Sequence, residues 1–501
     1  MSDSGNEEKR QRIAKDWFKD PLNIILVLVL IFGIGLRFYV YNITANQPVW
    51  WDEAAYGTIA KSYTHEGWDN YSIVQSEKSI RPPLFSFIWA IFLFFGFGES
   101  AVRFFLEFLP SAFSVWLIYL IGKQLYDKKI GIISALIFSV IWIHLFYTAR
   151  LLTHIPNILF LLISALYFIK ATESEFSPKY FAISLISIIF SALIRYPEGI
   201  VLGAYALFIL LAQIRLLKYR KFWISGIIGF LPLLIFFAYN LVKHGNIFPA
   251  LLGSNYVQAV SQKFAFDLLK FIPLYLQKTF FILFLIGLAL MLFELAIGYD
   301  TIKSSKRLQG HLFLILILIV VYSYFIFSLR GAEDRWLFST ILPLVCIAAF
   351  GLSSVYEKIS QYGGKNVGLV IISLILIFGA YHQVIYSTAM IKDKIPSFLQ
   401  EKQGFEWIKS NTPGNSIILG AGADVYSLYY GDRLLESTPQ NSSDIIYSNA
   451  SYFVAHVFAP QPDYINSYLQ STKAWRPIQA FYMDPNQQQP GFIIYEKVNN
   501  G

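Results

Sequence analysis

The sequence predicts an all-α polytopic membrane protein of about eleven transmembrane helices, followed by a small α/β domain. Three observations predict it. Of 501 residues, 55% are hydrophobic and only 14% charged, whereas about a quarter are charged in an ordinary soluble domain. Apolar runs long enough to cross about 30 Å of hydrocarbon recur along most of the chain, whose mean hydropathy is +0.50. Basic residues gather in short clusters at every second junction between those runs.

The first 21 residues are a polar, mixed-charge tail with no small-residue cleavage site, so Leu22–Tyr41 reads as a retained first span. Further spans are expected near 102–122, 130–148, 155–171, 180–195, 198–214, 222–240, 279–298, 311–329, 337–356 and 367–388. The clusters Lys123/Lys128/Lys129, Lys170/Lys179, Arg215/Lys218/Arg220/Lys221, Lys303/Lys306/Arg307 and Lys358/Lys365 all fall on one side of such an arrangement. So does the N-terminal tail with Lys9, Arg10, Arg12, Lys15 and Lys19, and the positive-inside rule makes that side cytoplasmic. Segments 42–101, 149–154, 195–197, 241–278 and 329–336 and the C-terminal region then lie outside a plasma membrane. Leu84–Gly98 is apolar but only about 15 residues long, and counting it as a span would invert every later loop; it reads as interfacial or re-entrant. Four sequons, at Asn42, Asn70, Asn441 and Asn449, fall in the outside segments.

After the last span the composition becomes that of a soluble domain. The helix-like stretch FLQEKQGFEWIKSN is followed by the turn TPGN and the apolar run SIILGA, and SYFVAHVF, the helix-like PDYINSYLQ, AWRPIQAFY and FIIYEKV then read as alternating α and β elements. The expected organisation is a cytoplasmic tail (1–21), a transmembrane domain (22–390) whose first outside loop is 42–101, and an extracytoplasmic α/β domain (391–501).

The net charge of +8 sits in loop clusters and forms no continuous basic face, which argues against nucleic acid as a partner. The single cysteine, Cys346, lies in an apolar run and reads as a small buried hydrophobe.

The densest chemistry is in the first outside loop, in Trp50-Trp51-Asp52-Glu53-Ala54-Ala55-Tyr56 and then Arg81-Pro82-Pro83-Leu84. Burial against aromatics and a neighbouring like charge both raise a carboxyl pKa towards the range useful to a general base. The bland alternative has Asp52 capping a helix that begins at Glu53, with the tryptophans in an interfacial belt.

These residues resemble the first-loop signature of the GT-C membrane glycosyltransferases, specifically the branch of dolichyl-phosphate-mannose-dependent protein mannosyltransferases and the bacterial aminoarabinose transferase. Ala101-Val102-Arg103, Tyr-Thr-Ala-Arg150, Thr153-His154-Ile-Pro156, Arg195-Tyr196-Pro-Glu198-Gly199 and Asp334-Arg335-Trp336 add to the resemblance, which covers about 390 residues. It implies transfer of a sugar from a polyprenyl-phosphate donor to a protein, lipid or glycan acceptor at the outer membrane face. The expected catalytic residues are Asp52 as general base and Glu53 as its orienting partner or substitute. The expected substrate-binding residues are Tyr56, Arg81, Arg150, His154, Arg195, Glu198 and Arg335. Arg81 ranks first for the phosphate, because a guanidinium fork matches phosphate oxygens. One-step displacement with a single base implies inversion at the anomeric carbon. Many members carry an acidic residue where this chain has His154, which puts in doubt the divalent metal that such a site would hold. The loop from Lys243 to Lys278 is expected to cover the site.

Each outer arginine has a simpler reading. Arg195 and Arg335 could snorkel, Glu198 could merely pair with Arg195 three residues away, and Arg37 near the outer end of the first span reads as snorkelling. A transporter is the competing function, but charged residues within spans are few, apart from Glu107 and Glu294, and no repeat is visible. Oligosaccharyltransferase-type transfer of a whole glycan ranks below single-sugar transfer, because the C-terminal region lacks a WWDYG-type motif.

Overall fold

The structure is a computed structural model, and it describes residues 19–173, 175–247, 264–328, 333–439, 441–484 and 486–498. The described residues divide into two compact units. The first takes in the described residues up to Ala45 and within Ala101–Ala149 and Thr153–Ile391; the second takes in those within Asn46–Ser100 and Arg150–Leu152 and from Lys392 onward.

The first unit is a helical bundle, and it and the second unit are labelled in one chain order. Helix α1 is Pro21–Thr44, and in the second unit α2 is Trp51–Ser62, α3 Ser72–Ile80 and α4 Pro83–Phe94. The bundle continues with α5 (Glu99–Leu125), α6 (Lys128–Val140), α7 (Trp142–Thr148), α8 (His154–Thr172), α9 (Pro178–Ile194), α10 (Tyr196–Ala212), α11 (Arg220–His244), α12 (Phe266–Ile297), α13 (Lys306–Phe327), α14 (Asp334–Gly363) and α15 (Lys365–Lys394).

Every expected span is a helix here. Eight helices are long and apolar enough to cross a membrane, and α6 with α7 makes a ninth, bent by 57°. The remaining two, α9 and α10, are apolar but shorter, as is α4 of the loop. The protein is therefore a multi-pass membrane protein. Side-chain caps set several of the helix starts. Asp20 accepts from Leu22 N at 3.0 Å with Pro21 in the first turn, and Asp127 accepts from Ile130 N at 2.9 Å. Helix α12 begins well before the expected residue 279 and breaks at Gln277 (φ 53°), the position that separates its outer turns from the long apolar run.

Burial sorts the helices. Helices α8 and α14 are enclosed by the bundle, whereas α1, α11, α12 and α15 leave most of their surface to lipid. Helices α12 and α14 approach most closely where Gly287 meets Ile347 and Gly351 meets Leu283, since a Cβ on either glycine would strike the partner backbone.

Arg37 overturns one expectation. It does not snorkel; it is fully buried and donates to the carbonyls of Gly33, Ser111, Phe138 and Ser139, with His144 Nδ1 at 3.1 Å. The bend between α6 and α7 frees the last carbonyls of α6, and a guanidinium with five donors is a suitable cap for them inside a membrane. Glu294 likewise is no mid-span charge. It sits near the end of α12, partly exposed, and binds Arg307 and His311.

In the second unit the C-terminal segment forms α16 (Leu399–Asn411), β1 (Ile417–Gly420), α17 (Asp424–Tyr429), β2 (Leu434–Ser437), α18 (Ser442–Tyr447), β3 (Tyr452–His456), α19 (Ile465–Ser471), β4 (Trp475–Tyr482) and β5 (Pro490–Lys497). The sheet order is β2-β1-β3-β5-β4, with β1 parallel to β2 and β3, and β5 antiparallel to β3 and β4. One face is covered by a core of Leu419, Ile445, Phe453, Ile465 and Trp475. The expected elements α16, β1, β3, α19, β4 and β5 are all present, while α17, β2 and α18 were not foreseen. Each of those is only four to six residues long, too short to show a period.

Candidate active site

The helix α2 carries both carboxylates in its first turn, where its unpaired N–H groups favour negative charge. It starts at Trp51, so Asp52 is inside the helix and does not cap it. The cap comes instead from Glu53, whose Oε2 accepts from Trp50 N at 2.7 Å. Successive helical residues are turned about 100° apart, so neighbouring acids meet different surroundings.

Glu53 turns inward and is fully buried. Arg150 grips it with two parallel bonds, Nε to Oε1 and Nη2 to Oε2, both 2.8 Å, and its Nη2 also reaches Pro48 O at 3.3 Å. The Arg150 guanidinium lies 3.9 Å over the Trp50 ring. This is the arrangement in which a buried ion pair is tolerated, with a bidentate fork and an aromatic face in place of water. Arg150, expected to bind substrate, thus braces Glu53 in this structure.

Asp52 turns outward, with its side chain 31% exposed. Its Oδ1 accepts from Arg81 Nη2 at 3.0 Å, and Arg81 Nε donates to Glu77 Oε2 at 2.6 Å. Arg81 rests 4.8 Å from the centre of the Tyr56 ring, which is itself set edge-on to Phe85. Burial works against the Arg81 charge, but Tyr56, Asp52 and Glu77 outweigh it and push its pKa further up. The result is a permanent cation touching a half-exposed carboxylate at a helix start.

The C-terminal segment locks α2 in place. Thr58 Oγ1 donates to Val425 O at 3.0 Å, Lys61 Nζ reaches Asp432 Oδ1 at 2.9 Å, and Val49 N donates to the Tyr430 hydroxyl at 2.8 Å. Trp51 stands edge-on to Tyr426, and Gly57 is pressed against the Tyr429 and Trp89 rings so closely that a Cβ would not fit. Asp424, at the start of α17, has its carboxyl pushed up by burial and by the charge of Glu77. None of Lys61, Asp424, Tyr426, Tyr429 or Tyr430 was singled out in the sequence; the crowded run Asp424-Val-Tyr-Ser-Leu-Tyr-Tyr430 was the available signal.

The other expected site residues belong to the transmembrane unit. His154 opens α8, buried, with its ring stacked 4.1 Å from that of Tyr147. Arg195 Nη1 pairs with Glu198 Oε1 at 2.7 Å, and Arg335 Nε pairs with Glu333 Oε2 at 2.6 Å in a more exposed setting. Residues 248–263 of the loop expected to cover the site lie outside those described. Among the described residues, no three His, Cys, Asp or Glu side chains gather as a metal set. Asp52 faces the Arg81 guanidinium and His154 the Tyr147 ring, a cation and an aromatic surface in place of the oxygen ligands a hard divalent cation takes.

A bundle of apolar helices whose first loop presents a carboxylate and an arginine, with a small α/β domain at the end, has the architecture of the GT-C membrane glycosyltransferases. The profile of the dolichyl-phosphate-mannose-protein mannosyltransferase family matches residues 80–239, and the fold is shared with two GT-C enzymes. The chain is similar to ArnT from Cupriavidus metallidurans bound to undecaprenyl phosphate, with a TM-score of 0.63 and 11% identity over 95% of this chain and 98% of that one. It is also similar to the archaeal oligosaccharyltransferase AglB from Archaeoglobus fulgidus in complex with an inhibitory peptide and a dolichol-phosphate, at 0.62 and 14% over 96% and 75%. The apo form of the A. fulgidus enzyme gives 0.64 at the same identity and coverage. No curated protein sequence matches the chain.

Proposed function

We propose that this chain moves a single sugar from a polyprenyl-phosphate carrier to an acceptor at the extracytoplasmic membrane face, with inversion. Asp52 is the general base, Glu53 orients the helix that carries it, and Arg81 meets the leaving phosphate. The observation that carries this reading is the contrast within one helical turn. Glu53 is shut away under Arg150, whereas Asp52 is partly exposed and hydrogen-bonded to a guanidinium.

Asp52 takes the proton from an acceptor hydroxyl while the acceptor oxygen bonds to the anomeric carbon. The bond from that carbon to the phosphate oxygen breaks, and its electron pair leaves on the phosphate. A phosphate leaving group needs stabilisation of its charge more than it needs a proton, and an arginine supplies that. ArnT and AglB were solved with polyprenyl-type phosphates, which supports a carrier of the same class here.

The test is sugar transfer from radiolabelled polyprenyl-phosphate sugars by wild type and Asp52→Asn in native lipid extract. Transfer by the wild type, reduced at least about 100-fold in a folded variant, is the expected result. Equal rates in both would remove Asp52 from the chemistry.

A further inference from the structure

At the end of the transmembrane unit that carries the basic loop clusters lies a cavity of about 230 Å³. It is lined by Asp127, which caps α6, and by Lys306 and Arg307, which open α13. Phe350, Ser353 and Glu357 of α14 line it too, and their spacing of three and four residues puts them on one face of that helix. Two cations and two carboxylates therefore share one small space.

Each of the four has bonding capacity left. Arg307 gives Nε and Nη2 to Glu294, which leaves Nη1 of its five-donor fork. Lys306 spends one of its three N–H groups on Glu173. Asp127 Oδ1 accepts from Ile130 N, while among the described residues Asp127 Oδ2 and the Glu357 carboxylate accept no hydrogen bond. A plain anion here would face two carboxylates, and a plain cation two positive side chains. A ligand that carries both signs satisfies both pairs.

We infer that the cavity takes a phosphate bearing a primary ammonium, the chemistry of a phosphoethanolamine group. Its phosphate meets Lys306 and Arg307 Nη1, where the starts of α6 and α13 also favour negative charge. Its ammonium, with three donors, meets Asp127 Oδ2 and Glu357. Arg307 lies 5.0 Å over the Phe350 ring and is forked to Glu294, so its position is fixed before a ligand arrives. A water takes about 30 Å³, so the cavity holds roughly eight non-hydrogen atoms, enough for this group and too few for acyl chains. Helices that cross a bilayer end in its headgroup layer, the depth at which a phospholipid presents such a group. The inference is independent of the sugar-transfer reading.

The experiment measures dissociation constants of the full chain, by native mass spectrometry from detergent micelles, for dioctanoyl phosphatidylethanolamine, phosphatidylcholine and phosphatidylglycerol. The ethanolamine lipid is expected to bind about tenfold more tightly than the other two, since only it donates hydrogen bonds from a cation to both carboxylates. Asp127→Asn and Glu357→Gln should each cut that preference to about threefold or less, and Lys306→Gln should weaken all three lipids alike, about fivefold. Equal affinities for the three lipids, tightest binding of phosphatidylglycerol, or a preference unmoved by the two carboxylate variants would overturn the site. If Asp127→Asn does not fold, because that residue caps α6, the exposed Glu357→Gln decides. Free phosphoethanolamine at millimolar concentration then identifies the source of the group: displacement of the lipid points to a soluble ligand, and retention of the lipid to the membrane.

Discussion

Glu53 and Arg150 in the loop-bearing unit are as deeply buried as Glu198 and Asn157 in the transmembrane unit, yet the two places meet burial in different ways. The Glu53 carboxyl is held by the Arg150 fork and by Trp50 N, with the Trp50 ring over the guanidinium. Around Glu198, one oxygen is held by Arg195, with the Asn157 amide and the Ser339 hydroxyl beside the carboxyl and Asn157 also accepting from Ser191. The first arrangement holds both charged groups in one fixed bidentate geometry. The second surrounds one carboxylate with an arginine, an amide and a hydroxyl on separate helices.

Substitutions can break this comparison. Arg150→Ala strands a buried carboxylate, so a loss of about 3–5 kcal/mol is expected in thermal or denaturant unfolding. Replacing both partners, as Glu53→Gln with Arg150→Met, should recover much of that loss; an equally unstable double variant would contradict the account of the pair. Arg81→Lys keeps the charge but cannot reach Asp52 and Glu77 with one planar fork. Losing a charged hydrogen bond of about 1.5–3 kcal/mol predicts a transfer rate lower by about 10- to 100-fold, with the unfolding midpoint little changed.

The neighbours of Glu198 predict a smaller loss. Asn157→Ala gives up the bond from Ser191 and an amide beside Glu198, and Ser339→Ala a single hydroxyl there, so each should cost about 0.5–1.5 kcal/mol in unfolding. A loss as large as that of Arg150→Ala would contradict this.

The smallest expected effect is a pH dependence at the contact of α2 with the C-terminal segment. Burial pushes the Asp432 carboxyl up, but Lys61 and Lys409 outweigh it and hold the carboxyl below its ordinary value. A depressed carboxylate stabilises the fold above its unfolded pKa and loses that contribution as pH falls through the folded one. The unfolding midpoint should therefore drop on acidification below the ordinary aspartate range, and Asp432→Asn should flatten that drop. An identical acid profile in the variant would assign the drop to other groups.

Much of the fold was legible in the sequence because its causes are local. Apolar run length and basic clusters gave the spans, and caps such as Asp20 and Asp127 are read one residue at a time. Leu84–Gly98 was set aside for its length, and α4 is indeed among the shorter apolar helices. The carboxylate pair stood out by motif. Nothing local distinguished Asp52 from Glu53, because the arginine that buries one of them lies 97 positions away. Nor could composition show that residues 46–100 and the C-terminal segment form one compact unit, since Thr58 and Val425 are 367 residues apart.

By itself, then, the sequence determined the membrane class, the order of spans, most of the α/β elements and a short list of candidate residues, because period, length and charge are properties of neighbouring positions. Only the tertiary structure decided which carboxylate is exposed, that Arg37 caps a broken helix instead of reaching for headgroups, and that Asn157 and Ser339 lie beside Glu198. Those outcomes depend on what each side chain finds across the fold, and burial changes the energy of a polar group more than its identity does.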